Sequence, residues 1–167
     1  MLLSHVRFFR CRLLFALVLA LSASFAQAET AGADTSFNRR LTAEAVNSLS
    51  SGIRYHFGGT DPESGLDCSA FVAYLFREAV GGSLPRTARE ISDMGRQVSL
   101  NELQPGDLVF FGKGKRDVSH VGIYVGGKKF IHASRKHGDI HESGLFEPYW
   151  RSRFNGARRF SSASPQT

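Results

Sequence analysis

The chain has 167 residues, 42% hydrophobic and 22% charged, with a formal net charge of +6. That length suits one domain with a real core and does not comfortably hold two. The positive charge is dispersed, without a long Lys/Arg run or a basic helix, so the pattern speaks against a nucleic-acid partner but suits a polyanionic surface such as a cell envelope.

The first 28 residues read as a cleavable export signal. Arg7, Arg10 and Arg12 make a basic start, Leu13 to Leu21 is an unbroken apolar run, and Ala26-Gln27-Ala28 has the small-x-small form of a cleavage site. The run is well short of the roughly twenty apolar residues that span a bilayer, so no membrane anchor is expected after cleavage. Cys11 precedes the run, where a lipid-anchoring cysteine would follow it. Cleavage takes away three arginines and no acids, which lowers the net charge to +3, and it leaves Cys68 as the one cysteine. An exported chain with a single thiol forms no internal disulfide, and such a leftover cysteine reads as a reactive thiol or an intermolecular link.

From Glu29 to about Arg40 the chain is polar and is expected to be a disordered lead. Leu41 to Leu49 is expected to be a first helix, with Thr42 as N-cap, Ala43, Ala45, Val46 and Leu49 on the buried side, and Gly52 as its stop. Tyr55-His56-Phe57-Gly58-Gly59 then reads as a tight turn near a site, with Phe57 taken as a core aromatic. Phe71, Val72, Leu75, Phe76 and Ala79 recur at helical spacing after Asp67, a good N-cap residue. A helix from Cys68 to about Ala79 follows, stopped by Gly81-Gly82. Thr87 caps a shorter helix expected over Ala88 to Gly95. Gln104-Pro105-Gly106-Asp107 is a turn, after which the pattern changes to strands: Leu108–Phe111, His120–Val125, Lys129–Ala133, and weaker ones near Ile140 and over Ala157–Phe160. Gly112 to Asp117 reads as a charged hairpin loop, and residues 161–167 as a flexible tail. Helices first and hairpin-linked strands after indicate an α+β domain, with the Cys68 helix packed on a C-terminal antiparallel sheet.

Cys68 falls at the start of its helix, where unpaired N–H groups and the helix dipole favour an anion. On that ground the thiol is expected to ionise more easily than a free one. Cysteine catalysis also needs a base, and a third polar group to orient the base. His120 and His132 supply both if they lie on one face of their hairpin. A two-residue turn at Gly126-Gly127 sets them on opposite faces, whereas a three-residue loop or a single bulge sets them side by side. A zinc site built from His120, His132, His137, His141 or Cys68 is the weaker chemical reading, because no paired metal-ligand motif is present.

The ordered segments Tyr55-x-x-Gly58-Gly59, Asp67-Cys68-Ser69, Leu103-x-Pro105-Gly106-Asp107-Leu108-Val109-Phe110-Phe111, His120-Val121-Gly122-Ile123-Tyr124 and Phe130-Ile131-His132-Ala133 resemble the NlpC-type cell-wall peptidases. The likeness covers residues 41–160, and Tyr149-Trp150 and Ala157-Arg158-Arg159 are similar to that family's C-terminal end. The resemblance implies a papain-like fold and a cysteine endopeptidase that cuts peptidoglycan stem peptides or their cross-links, next to diaminopimelate; with the export signal it implies action in the periplasm or cell envelope, or outside the cell after secretion. It implies Cys68 as nucleophile, His120 as general base, His132 as its orienting partner and Tyr55 as an oxyanion donor. Asp67 and Ser69 match positions that contact the amine end of the substrate, and Arg86 is a further substrate-binding candidate. No cofactor or metal is implied, and any regulatory protein partner is unknown. The family usually has glycine after Asp-Cys-Ser, and Ala70 is expected to narrow the cleft by a methyl group. The rival readings on the same scaffold are a non-catalytic wall-binding module, a papain-like amidase and an exported toxin.

Overall fold

The computed structural model describes residues 35–114 and 117–161. The expected export signal and the tail beyond residue 161 lie outside the described residues. Among those described, no helix is long and apolar enough to cross a membrane.

The first helix, α1, spans 35–47 and continues into a 3₁₀ turn at Ser48–Ser50. It begins six residues before the expected start, so the end of the supposed lead is helical. Phe37 explains this: its ring is 1% exposed and meets Phe76 edge-on at 5.4 Å, which in turn meets Phe160 at 5.4 Å. The buried face is therefore Phe37, Leu41, Ala45 and Ser48. Ala43 is exposed and Val46 and Leu49 are largely so, contrary to expectation. Thr42 is no cap; its hydroxyl donates to the Asn38 carbonyl inside the helix at 2.7 Å.

Two short strands, β1 (Thr60–Asp61) and β2 (Gly65–Leu66), form a small hairpin ahead of α2 (Cys68–Val80). Asp67 caps α2 by accepting the Ala70 N–H at 2.9 Å, and Gly81 closes it in the left-handed conformation at φ 71°. Ala70, Phe71, Val72, Leu75 and Phe76 form the buried stripe. Ala70 points into this core and is not a cleft residue, so its methyl does not narrow the cleft. α3 is only Ala88–Ser92, fixed by a capping box between Thr87 and Glu90; the residues expected to extend it turn instead into β3 (Arg96–Val98).

The sheet is completed by β4 (Leu108–Phe111), β5 (His120–Gly126), β6 (Lys129–Ser134), β7 (Asp139–Gly144) and β8 (Phe154–Arg159), with a one-turn helix α4 (Pro148–Arg151) before the last strand. Its order is β3-β8-β4-β5-β6-β7, antiparallel throughout. α2 packs on β5 and β6, against Val121, Ile123, Ile131 and Ala133. The alternate residues Val109, Phe111 and Phe130 face the other way and form a second core with Leu145, Ala157 and Trp150.

Candidate active site

The two histidines are set by a bulge. Ile123 pairs with Ile131 and Tyr124 with Phe130, but Gly126 pairs with Lys129, so Val125 is the extra residue. The turn is Gly127-Lys128, one residue later than expected, with φ of 58° and 64°. That is the doubly left-handed turn that suits strand twist, and Lys128 is the one non-glycine residue with positive φ among the described residues. The bulge puts His120 and His132 on the same face, the face opposite α2. His120 Nε2 lies 2.8 Å from His132 Nδ1, and His132 Nε2 lies 3.1 Å from Ser143 Oγ on β7.

Gly122 makes that spacing practicable. A Cβ there would come within 2.7 Å of the Phe130 ring, 2.9 Å of the Ile131 carbonyl and 3.2 Å of the His132 Cβ. Trp150 finishes the enclosure. Its indole stacks on His120 with ring centroids 5.3 Å apart at 25°, and meets His132 edge-on at 5.0 Å.

Cys68 comes to the start of β5 from the α2 side of the sheet and lines the same cleft as the pair. Its Sγ is 4.0 Å from the Ser119 carbonyl, the residue before His120. The segment carrying Tyr55 lies between β2 and the β6–β7 turn: His56 donates its N–H to Leu66 O at 3.1 Å, and Tyr55 donates its own to Gly138 O at 2.9 Å. The Gly58-Gly59 turn behaves as expected, since a Cβ on Gly59 would strike the Gly65 carbonyl at 2.2 Å. Phe57 is no core aromatic; it stands 78% exposed at the rim. Asp67 receives Arg86 through both oxygens at 3.1 and 2.6 Å, and Ser69 through its hydroxyl at 3.0 Å.

Tyr55, Asp67, Cys68, Ser69, Arg86, His120 and His132, the seven residues expected to have catalytic or substrate-binding roles, line one cleft of about 1280 Å³. Ser143 and Trp150 line it too; the sequence marks Trp150 only as part of a family-like C-terminal end, with no role at the site, and does not mark Ser143. Ser143 is legible only once β7 is in register with β6, where it stands two residues from the His141 that faces His132. Trp150 lies in the short helix α4, which no periodicity announces. Among the described residues, no three His, Cys, Asp or Glu side chains are placed to hold a metal ion.

The electrostatics overturn one expectation. Burial pushes the Cys68 thiol above its ordinary pKa, and the Asp67 carboxylate adds to this; the N–H groups of Val121, Ser69 and Cys68 pull the other way without prevailing. The helix start therefore does not make this thiol easily ionised. Burial also lowers His120 to about 4, against a small upward pull from Asp67. His132 falls to about 2, through burial first and then its neighbours His120, His141 and His137. For Asp67, burial acts upward, but hydrogen bonds from Arg86, the Ala70 N–H and Ser69 bring the pKa below its ordinary value. Tyr55 is raised by burial, then by Cys68, so its hydroxyl keeps its proton. At neutral pH the site thus rests as a thiol beside neutral imidazoles. The hydrogen-bond chain admits a tautomer in which Ser143 accepts from His132 Nε2–H and His132 Nδ1 accepts from His120 Nε2–H, which leaves a lone pair on His120 Nδ1.

A family model described as the NlpC/P60 family matches residues 52–159. The chain is 48% identical over 113 residues to Murein DD-endopeptidase MepS/Murein LD-carboxypeptidase of Escherichia coli K12, covering 68% of this chain and 58% of that one. It is 42% identical over 110 residues to the Probable endopeptidase NlpC of Escherichia coli K12, covering 65% and 70%. Among solved structures it is similar to a NlpC/P60 family protein from Bacillus cereus ATCC 10987, with a TM-score of 0.65 at 31% identity over 72% of this chain and 40% of that one.

Proposed function

The chain belongs to the NlpC/P60 family, and on that premise we propose that it is an exported cysteine endopeptidase that hydrolyses peptide bonds in peptidoglycan stem peptides or their cross-links. The observation that carries the reading is the convergence of Cys68, Tyr55 and the hydrogen-bonded His120–His132 pair in one cleft. The name of the MepS relative favours a cross-link or a stem-terminal bond involving a D-residue. Action in the cell envelope follows from the substrate.

In the proposed reaction His120 Nδ1 takes the thiol proton as Cys68 Sγ bonds to the scissile carbonyl carbon. Burial holds the resting thiol neutral, so attack requires His120 to take this proton. The oxyanion that forms is held by the Tyr55 hydroxyl and the Cys68 N–H. Collapse breaks the C–N bond, and the leaving amine takes the proton from His120. Water, deprotonated by His120, then opens the thioester and releases the new carboxylic acid and the thiol. His132 holds His120 in the tautomer this sequence needs, and Ser143 does the same for His132.

Mass spectrometry of defined muropeptides incubated with the protein and with Cys68→Ala tests the reading. A product that appears only with the cysteine present is expected, and its mass names the bond. Undiminished cleavage by Cys68→Ala would reject the reaction.

A further inference from the structure

The cleft carries more positive charge than its own acids occupy. Arg86, Arg89, Lys113, Arg135, Lys136 and Arg153 all line it, against Asp67, Glu142 and Glu147. Asp67 is taken by Arg86 at 2.6 Å and Glu142 by Lys129 at 2.7 Å, while Glu147 accepts the Gly144 N–H at 3.0 Å. Arg89 pairs with Asp93, and Arg153 lies over the Tyr149 ring at 3.9 Å. Lys113, Arg135 and Lys136 remain without an ion pair among the described residues. Unpaired cations in a concave wall focus a positive field into it and draw in anions.

Arg135 is the best placed of the three. β6 ends at Ser134, which pairs with Asp139, so Arg135 opens the turn that follows His132 by three residues. The Tyr55 segment is laid along this same turn, through the Tyr55 N–H to Gly138 O bond and the bridge between Arg54 and Asp139. The Arg135 guanidinium accordingly acts on the Tyr55 hydroxyl, drawing its pKa down against the burial that raises it. An exposed guanidinium in the same cleft as the phenol, with no ion pair to an acid among the described residues, presents a fork that matches a carboxylate.

We propose that Arg135, supported by Lys136 and Lys113, is a carboxylate-binding site of the cleft, so that the preferred substrate is a peptide with a free carboxylate close to the scissile bond. The choice of peptide rests on the hydrolase reading above. Stem peptides offer two such groups, the α-carboxylate of D-glutamate and a carboxylate of diaminopimelate, and amidation neutralises either one.

The test reads binding and turnover separately. Cross-linked stem peptides are prepared with all carboxylates free, with the D-glutamate α-carboxylate amidated, and with the diaminopimelate carboxylates amidated. Calorimetry gives their dissociation constants for Cys68→Ala, with and without Arg135→Gln; kcat/KM is taken for the wild type, Arg135→Gln and Arg135→Lys. Arg135→Gln is expected to weaken the free form by about tenfold to a hundredfold, the range of a charge-assisted hydrogen-bonded pair. Amidation of one of the two groups has the same effect on the parent, and the two losses do not add. The amide that has this effect identifies the carboxylate, and Arg135→Lys restores part of the loss. Equal losses on all three peptides, no loss on any, or no measurable binding of the free form overturns the proposal. Failure of the hydrolase reading shows differently, as binding without turnover by the wild type, and leaves the binding comparison decisive.

Discussion

Burial lowers His120 to about 4, and Trp150, stacked on one face of the half-buried imidazole, supplies part of that burial. Replacing Trp150 by Ala opens that face. The acid limb of kcat/KM should then move from near pH 4 toward the ordinary histidine value of about 6.5. Cation–π attraction acts in the opposite sense, by ~0.5–1 kcal/mol at an open site, and is outweighed by desolvation. Trp150→Phe keeps the stack and should keep the low acid limb. A tryptophan that only filled space would lower stability and leave the pH profile where it was. Ser143→Ala acts one step further away: it should lower kcat by about tenfold at unchanged KM, because it loosens the His132 tautomer without touching substrate. A rise in KM with kcat intact would show that Ser143 meets substrate instead. The sequence made Cys68, His120, His132 and Tyr55 visible because each sits in a local motif. Ser143 and Trp150 act across strands, and no local pattern carries such a contact.

Among the elements, the β5–β6 hairpin holds the most chemistry in the fewest residues. The sequence left two arrangements open, and the bulge at Val125 selects the one that aligns the histidines. Gly122 then sets how closely the strands carry them. Gly122→Ala puts a methyl 2.7 Å from Phe130 and 3.2 Å from the His132 Cβ, so β6 must shift and His132 with it. Displacement of a positioning group by about 1 Å costs on the order of a hundredfold in rate, and overpacking costs ~1–3 kcal/mol in stability. Both kcat and the urea midpoint should fall; a full-rate Gly122→Ala enzyme would show that the strands have slack. α2 was legible from its apolar spacing and from Asp67. α1 was placed too late because one buried phenylalanine, Phe37, outweighs the polar residues around it. β3 and α4 are three and four residues long, too short for a period to register.

At the scale of the molecule, sheet order is what the sequence withheld. β8 inserts between β3 and β4, and an ion pair with a buried carboxylate fixes it there: Arg159 of β8 meets both oxygens of Asp107 at 2.7 Å, and Asp107 also accepts the Gln104 N–H at 2.7 Å. Asp107 is fully buried and Arg159 half-buried, so Asp107→Ala leaves the guanidinium with the Glu102 carbonyl alone and should cost ~1–3 kcal/mol in a urea titration. The histidines impose a further, pH-dependent term. In the unfolded chain His120 and His132 titrate near 6.5; folded, they do so at about 4 and about 2. Between those values the unfolded state binds more protons, so stability rises with pH across the interval. It is fully present above about 6.5 and is lost progressively as the pH falls toward 4. Below about 4.5 the carboxylates lowered by their hydrogen bonds, Asp67, Glu90 and Glu102, add to the loss in the same direction. The melting temperature should therefore drop from pH 7 to pH 4.5, and His132→Gln should flatten that slope by removing one of the two protons. A melting temperature that is flat over this window, or that rises on acidification, would mean that water reaches the pair in the folded protein, and the low acid limb assigned to His120 would fall with it.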